Sequence, residues 1–139
     1  MRVALAGFGN SGQEVARRLT AGAIPGVTLT AVTARDLDKA RANAAKISPT
    51  LKVVTLAELP AHADVVAECA IASALPDILR TCLGAGKTVI VVSAAGLLNM
   101  PDAEDFARQA GARLRIANGA LPGLDILRAA REGEIQSVK

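Results

Sequence analysis

Apolar and polar positions along this chain follow two rhythms that replace each other in turn. Short runs of Val, Ile, Leu, Ala and Thr read as strands, and segments with apolar residues at i, i+3, i+4 and i+7 read as helices. Arg2–Ala6 is an apolar run of strand length, and residues 11–21 form an amphipathic helix pattern. Val27–Thr33 is rich in β-branched residues and predicts a second strand. Asp36 can cap a helix whose apolar positions are Leu37, Ala40, Ala44 and Ile47, with Ser48-Pro49 as its stop. Lys52–Val54 predicts a short third strand, Leu56–Leu59 a single turn, and Asp64–Ala70 a fourth strand. Leu75, Ile78, Leu79, Cys82 and Leu83 mark one face of a helix that Gly84 and Gly86 end. Thr88–Ser93 predicts a strongly buried fifth strand. Asp102 opens a helix with Ala103, Phe106, Ala107 and Ala110 on one face. Arg113–Ala117 reads as a sixth strand, and a last helix covers about 123–132. Strands alternating with helices predict an α/β fold, doubly wound, with a mostly parallel six-stranded sheet and helices on both faces.

The turn between the first strand and first helix is Gly7-Phe8-Gly9-Asn10-Ser11-Gly12, a G-x-G-x-x-G motif. Its place between strand and helix makes it the dinucleotide-binding fingerprint of a Rossmann-type sheet. In that reading Gly7 permits the tight turn, Gly9 lets a pyrophosphate approach the backbone, and Gly12 lets the helix pack close to the strand. The free N–H groups near Asn10, Ser11 and Gly12 face the phosphates, aided by the helix dipole. Gly84-Ala85-Gly86-Lys87-Thr88 imitates the tail of a P-loop, but position 81 is Thr and the segment runs from helix to strand. It reads as a helix end.

Composition narrows the picture. The 139 residues, 51% of them hydrophobic, suit about one domain with an aliphatic core. There is no Trp or Tyr, and Phe8 and Phe106 are the only aromatics, so the chain makes a poor stacking platform for single-stranded nucleic acid. The net charge of +3 comes from 16 basic and 13 acidic residues. The basic residues are scattered, with no nucleic-acid stripe. No stretch approaches the roughly 18–20 apolar residues of a membrane span. Two distant cysteines, and a chain that opens directly on a strand with no targeting peptide, predict a cytoplasmic protein with reduced thiols.

Ligand lies across the carboxyl ends of the strands in this fold. Thr33-Ala34-Arg35-Asp36 follows the second strand, where an acidic residue would ordinarily grip the ribose hydroxyls. Arg35 can hold a 2′-phosphate or stack on adenine, which leans towards NADP or towards use of both cofactors; alternatively it is a solvated helix-start residue. Asp36 reads as a helix cap. Cys69-Ala70 and Ser93-Ala94-Ala95-Gly96 end the fourth and fifth strands, and small residues there let the nicotinamide half lie against the backbone. Cys69 is equally read as a small buried hydrophobe. His62, the only histidine, precedes the fourth strand at the amino end, away from the crevice. No general acid or base and no metal-ligand set stands out. Asn118–Asp125, with Gly119, Pro122 and Gly123, is either a structural turn or a contact to cofactor or substrate.

Taken together, Gly7–Gly12, Val65–Ala70, Val91–Leu97 and Gly119–Asp125 resemble the L-aspartate dehydrogenase family, specifically its N-terminal NAD(P)-binding domain. The resemblance covers essentially the whole chain. It implies oxidation of L-aspartate to an imine, and then to oxaloacetate and ammonia, with NAD or NADP as cofactor. It also places Ala120 near the nicotinamide. The family's catalytic histidine and most substrate contacts lie in a second domain, and the full-length proteins are expected to be homo-oligomers. Homoserine dehydrogenase-like or sugar dehydrogenase-like enzymes, or a non-catalytic NAD(H)-sensing module, would share such an N-terminal domain. Residues 1–134 are accordingly expected to form the dinucleotide-binding domain. Ile135–Lys139, a strand opening, is expected to begin a second, α+β domain that holds the catalyst. The chain alone is then expected to bind cofactor without turning over substrate.

Overall fold

The computed structural model describes residues 1–117 and Ser137. Its strands are β1 (Arg2–Ala6), β2 (Thr28–Thr33), β3 (Lys52–Val53), β4 (Val65–Glu68), β5 (Thr88–Val91) and β6 (Arg113–Ile116). They form one sheet in the order β3-β2-β1-β4-β5-β6, with every neighbouring pair parallel. Between them run helices α1 (Asn10–Thr20), α2 (Leu37–Ala45), α3 (Leu75–Gly84) and α4 (Ala103–Gln109). The chain moves outward from β1 to β3, then returns to β4 on the other side of β1. That reversal leaves a crevice between the carboxyl ends of β1 and β4.

The period of two in each strand separates the core into two layers. On one face Ala4, Ala6, Ala31, Val66, Val89 and Val91 meet Leu75, Ile78, Leu79 and Leu83 of α3, with Ala103 and Ala107 of α4. On the other, Leu5 and Val32 meet Phe8, Ala16 of α1, and Ala40 and Ala44 of α2. Small alanines in β1 let both layers approach the central strand closely. The helix faces read from the sequence are therefore the buried ones. Gly86 ends α3 with φ of +71°, its N–H bonding to Leu83 O and that of Lys87 to Cys82 O. This is the glycine-terminated helix end read from the sequence, where the segment only imitates a P-loop.

Several boundaries differ from expectation, each for a local reason. β4 stops at Glu68 and β5 at Val91, two residues short. The Glu68 carboxylate accepts the N–H groups of Ala70, Val92 and Ser93, which takes them out of the sheet ladder. The turn expected at Leu56–Leu59 is followed by a 3-10 helix at Leu59–His62, anchored by the buried Leu59 and Pro60. Short 3-10 helices at Ala72–Ala74 and Ala94–Asn99 are too brief to leave a periodic signal. β5 is fully buried only at Val89 and Val91, and its other face is half-buried. Pairing of β1 with β2 skips Thr30, so that Val3 faces Leu29 and Ala4 faces Ala31. The Thr30 hydroxyl lies 3.0 Å from Val3 O and 2.8 Å from His62 O, which pins this bulge to the segment leading into β4. The expected helix over 123–132 and the Asn118–Asp125 crossing lie outside the described residues.

Candidate functional site

Because β1 is buried on both faces, the chain must leave it without a side chain in the way. Gly7 does so with φ of +109°, and its N–H donates to Thr33 O at 2.9 Å. A Cβ on Gly7 would lie 2.5 Å from the Cys69–Ala70 peptide. A Cβ on Gly12 would lie 2.2 Å from Gly7 O. Both distances are far inside van der Waals contact, so these glycines are needed for packing. Gly9 differs: it caps α1, and a Cβ there would meet nothing within 4 Å. The space in front of it is open. Phe8, buried between the two, fixes the loop into the core layer below.

The helix ladder begins with Gln13 N bonding to Gly9 O at 2.9 Å. The N–H groups of Asn10, Ser11 and Gly12 therefore have no partner within the helix. No acidic residue sits in the first turn to neutralise them. With the helix dipole they form an electropositive edge suited to a phosphate. This edge opens into a cleft of about 850 Å³. Its other walls are the end of β2 with the start of α2, and the end of β4 with the start of α3.

Of the residues selected from sequence, Gly7, Phe8, Gly9, Asn10, Ser11, Thr33, Arg35, Cys69 and Ala70 line this cleft together. Gly12 lies buried behind the loop, where the packing role assigned to it belongs. Ser93 does not line the cleft. Its hydroxyl donates to Ala70 O at 2.9 Å, beneath the wall. Ala120 lies outside the described residues. His62 stands at the amino edge of β4, as expected.

At the β2 end, Asp36 caps α2 by accepting from Lys39 N at 2.9 Å. Arg35 is exposed, lines the cleft and forms no ion pair among the described residues. Lys39, one helical turn further, adds a second cation, which the sequence reading did not single out. At the β4 end, the Cys69 thiol is pushed up to about 11 by burial first and by the neighbouring Glu68 charge second. Such a thiol is not a nucleophile at neutral pH, which fits the small-hydrophobe reading.

Glu68 escaped the sequence reading. It is fully buried, and its two carboxylate oxygens accept three backbone N–H groups. The available signal was an acidic residue standing alone between Val65-Val66-Ala67 and Cys69-Ala70. No cluster of metal-ligating side chains occurs among the described residues. Among them, no helix is long and apolar enough to cross a membrane.

Residues 7–117 match the family described as homoserine dehydrogenase, NAD binding domain. The chain belongs to that family. Its cofactor is NAD or NADP, and the glycine turn, the free helix N–H groups and the open space at Gly9 fit that group. In sequence the chain is 42% identical over 137 residues to L-aspartate dehydrogenase 3 of Bordetella bronchiseptica, covering 99% of this chain and 50% of the relative. It is 41% identical over 139 residues to the L-aspartate dehydrogenase of Bradyrhizobium diazoefficiens, covering 100% and 49% respectively. The resemblance read from the motifs is thus found along the whole sequence. The chain spans about half the length of these curated relatives. Among solved structures it is similar in fold to a UDP-N-acetylglucosamine 3-dehydrogenase from Acidithiobacillus ferrooxidans. The TM-score is 0.74 at 20% identity, over 96% of this chain and 44% of that one.

Proposed function

We propose that this chain is the cofactor-binding part of an NAD(P)-dependent amino-acid dehydrogenase whose substrate is L-aspartate. The reading is carried by the 42% identity to an L-aspartate dehydrogenase along 99% of the chain. When bound, the cofactor supplies the hydride acceptor for oxidation of L-aspartate to iminoaspartate, which hydrolyses to oxaloacetate and ammonia. The residues of this chain bind and orient. Gly9 leaves room for the pyrophosphate, and the N–H groups of Asn10, Ser11 and Gly12 hold it. Thr33 and Arg35 face the adenosine ribose, with Arg35 and Lys39 supplying the charge that a 2′-phosphate needs. Cys69 and Ala70 floor the nicotinamide half, and Ala120 remains an expected contact near the ring. In this reading residues 1–134 are the dinucleotide-binding domain and 135–139 lead into the half that holds the substrate. The complete enzyme works in the cytoplasm as a homo-oligomer.

Calorimetric titration of the chain with NAD and with NADP tests the reading. Saturable binding of at least one is expected. Well-folded protein that gives neither heat nor a thermal shift with either would overturn it. The family description favours one competing substrate, L-homoserine. An enzyme that contains this chain and reduces NAD(P) with L-homoserine but not with L-aspartate would decide for that alternative.

A further inference from the structure

We propose that Glu68 and Ser93 form a positioning clamp that fixes the Ala70 peptide as the floor of the cleft's nicotinamide half. Neither residue need touch the cofactor. The inference rests on the cofactor-binding reading above. Ala70 is gripped from both sides. Its N–H donates to Glu68 Oε1 at 2.6 Å, and its carbonyl accepts the Ser93 hydroxyl at 2.9 Å. Glu68 Oε2 accepts the N–H groups of Val92 at 3.0 Å and Ser93 at 2.8 Å. One carboxylate thereby joins the loop after β4 to the loop after β5. Glu68 holds the Cys69–Ala70 peptide, against which Gly7 packs with no room for a Cβ, and Ser93 holds the peptide that follows. The two loops also close on each other at Gly96, where a Cβ would lie 2.8 Å from Ala72 O.

A fully buried carboxylate is a costly way to hold two loops when an apolar side chain could fill the same volume. What it supplies is direction. Three N–H groups turn inward to it, which ends β4 and β5 and leaves Ala70 at the cleft wall. The position matters because the second mononucleotide-binding half, β4 to β6, takes the nicotinamide end. The adenosine end lies over β2, away from the clamp.

The test compares NAD with AMP, which probes the adenosine end alone, by calorimetry on the full chain. In Glu68→Gln the amide keeps the shape but turns an NH2 towards a backbone N–H. As the clamped backbone leaves its place at the cleft, NAD affinity is expected to fall about tenfold, while AMP affinity stays within about twofold. Ser93→Ala keeps the carboxylate and removes one bond to Ala70; NAD affinity is expected to fall about threefold with AMP unchanged. NAD and AMP weakening in parallel in a folded variant, or unchanged NAD affinity, would overturn the clamp. Should Glu68→Gln fail to fold, unchanged NAD binding by Ser93→Ala suffices to overturn it. A wild-type chain that binds neither NAD nor NADP marks failure of the cofactor reading itself.

Discussion

The two strand ends that border the cleft reach their shapes by opposite means. At the end of β1, Gly7 and Gly12 work by lacking atoms: the backbone of one neighbour occupies the place of each missing Cβ. At the end of β4, Glu68 works by adding charge and acceptors to a site that sheet and helix would otherwise fill with apolar side chains. The first end is held by exclusion and the second by hydrogen bonds, and they meet at the Cys69–Ala70 peptide. The lesson is that failures of the two ends have different signatures. A glycine substitution fails by overlap that no solvent can relieve. A glutamate substitution fails by leaving donors unsatisfied, which water or a small rearrangement can partly repair.

The largest expected effect is that of Gly7→Ala. It combines a left-handed φ with a Cβ 2.5 Å from backbone, and is expected to cost about 3 kcal/mol or more of unfolding free energy. Urea unfolding measures it; a loss below 1 kcal/mol, by rough mutational scales, would break the contrast drawn here. Glu68→Gln follows, with about 2 kcal/mol expected from unsatisfied buried donors by the same measurement. Gly9→Ala sharpens the comparison from inside the loop. Its Cβ enters open space, so stability is expected to fall by only about 0.5–1 kcal/mol for a poorer cap. NAD affinity should still fall about tenfold, since contact with the charged pyrophosphate is displaced. Arg35→Ala is expected to lower NADP affinity about tenfold, to leave NAD unchanged and to leave unfolding unaffected. Equal affinities for NADP before and after would remove Arg35 from the site.

The smallest effect belongs to the amino ends of the same two strands. Arg2 and Asp64 pair there, both about half exposed. Hydrogen bonds from the Arg2 side chain, then its backbone N–H, hold the Asp64 carboxyl at about 2, below its ordinary 3.8. A depressed carboxyl stabilises the fold above its unfolded value and loses that contribution as pH falls through the folded one. Asp64→Asn should therefore slightly flatten the loss of stability between about pH 4 and 2. Solvent screening keeps the effect small.

What could be read from the sequence follows the range of the forces involved. The strands, the helix faces and the glycine turn are set by local periodicity and by missing side chains, so Leu75–Leu83 and Gly7–Gly12 announced themselves. Asp36 was legible as a cap because capping acts over three residues. Glu68 was not, because two of its three partners lie 24 and 25 residues away. Its meaning depends on β5 arriving beside β4. Ser93 was assigned to the cleft because it ends the predicted strand; only a separate long-range bond, from its hydroxyl to Ala70 O 23 residues away, shows it turned beneath the wall. Lys39 was hidden because an exposed helix position gives no sign of which space it borders.

The bulge at Thr30 shields more of the molecule than its one skipped partner suggests. Side chains alternate along a strand, so one extra residue would turn over everything after it unless a bulge absorbed it. Here Leu29 faces Val3 before the bulge and Ala31 faces Ala4 after it, so Val32 still enters the core and Thr33 still reaches the cleft. Deleting Thr30, which borders no part of the cleft, would leave an unbroken ladder with the same partners on both sides and cost the hydroxyl's bonds to Val3 O and His62 O. The sheet thus carries a spare residue whose loss or gain the cleft does not register.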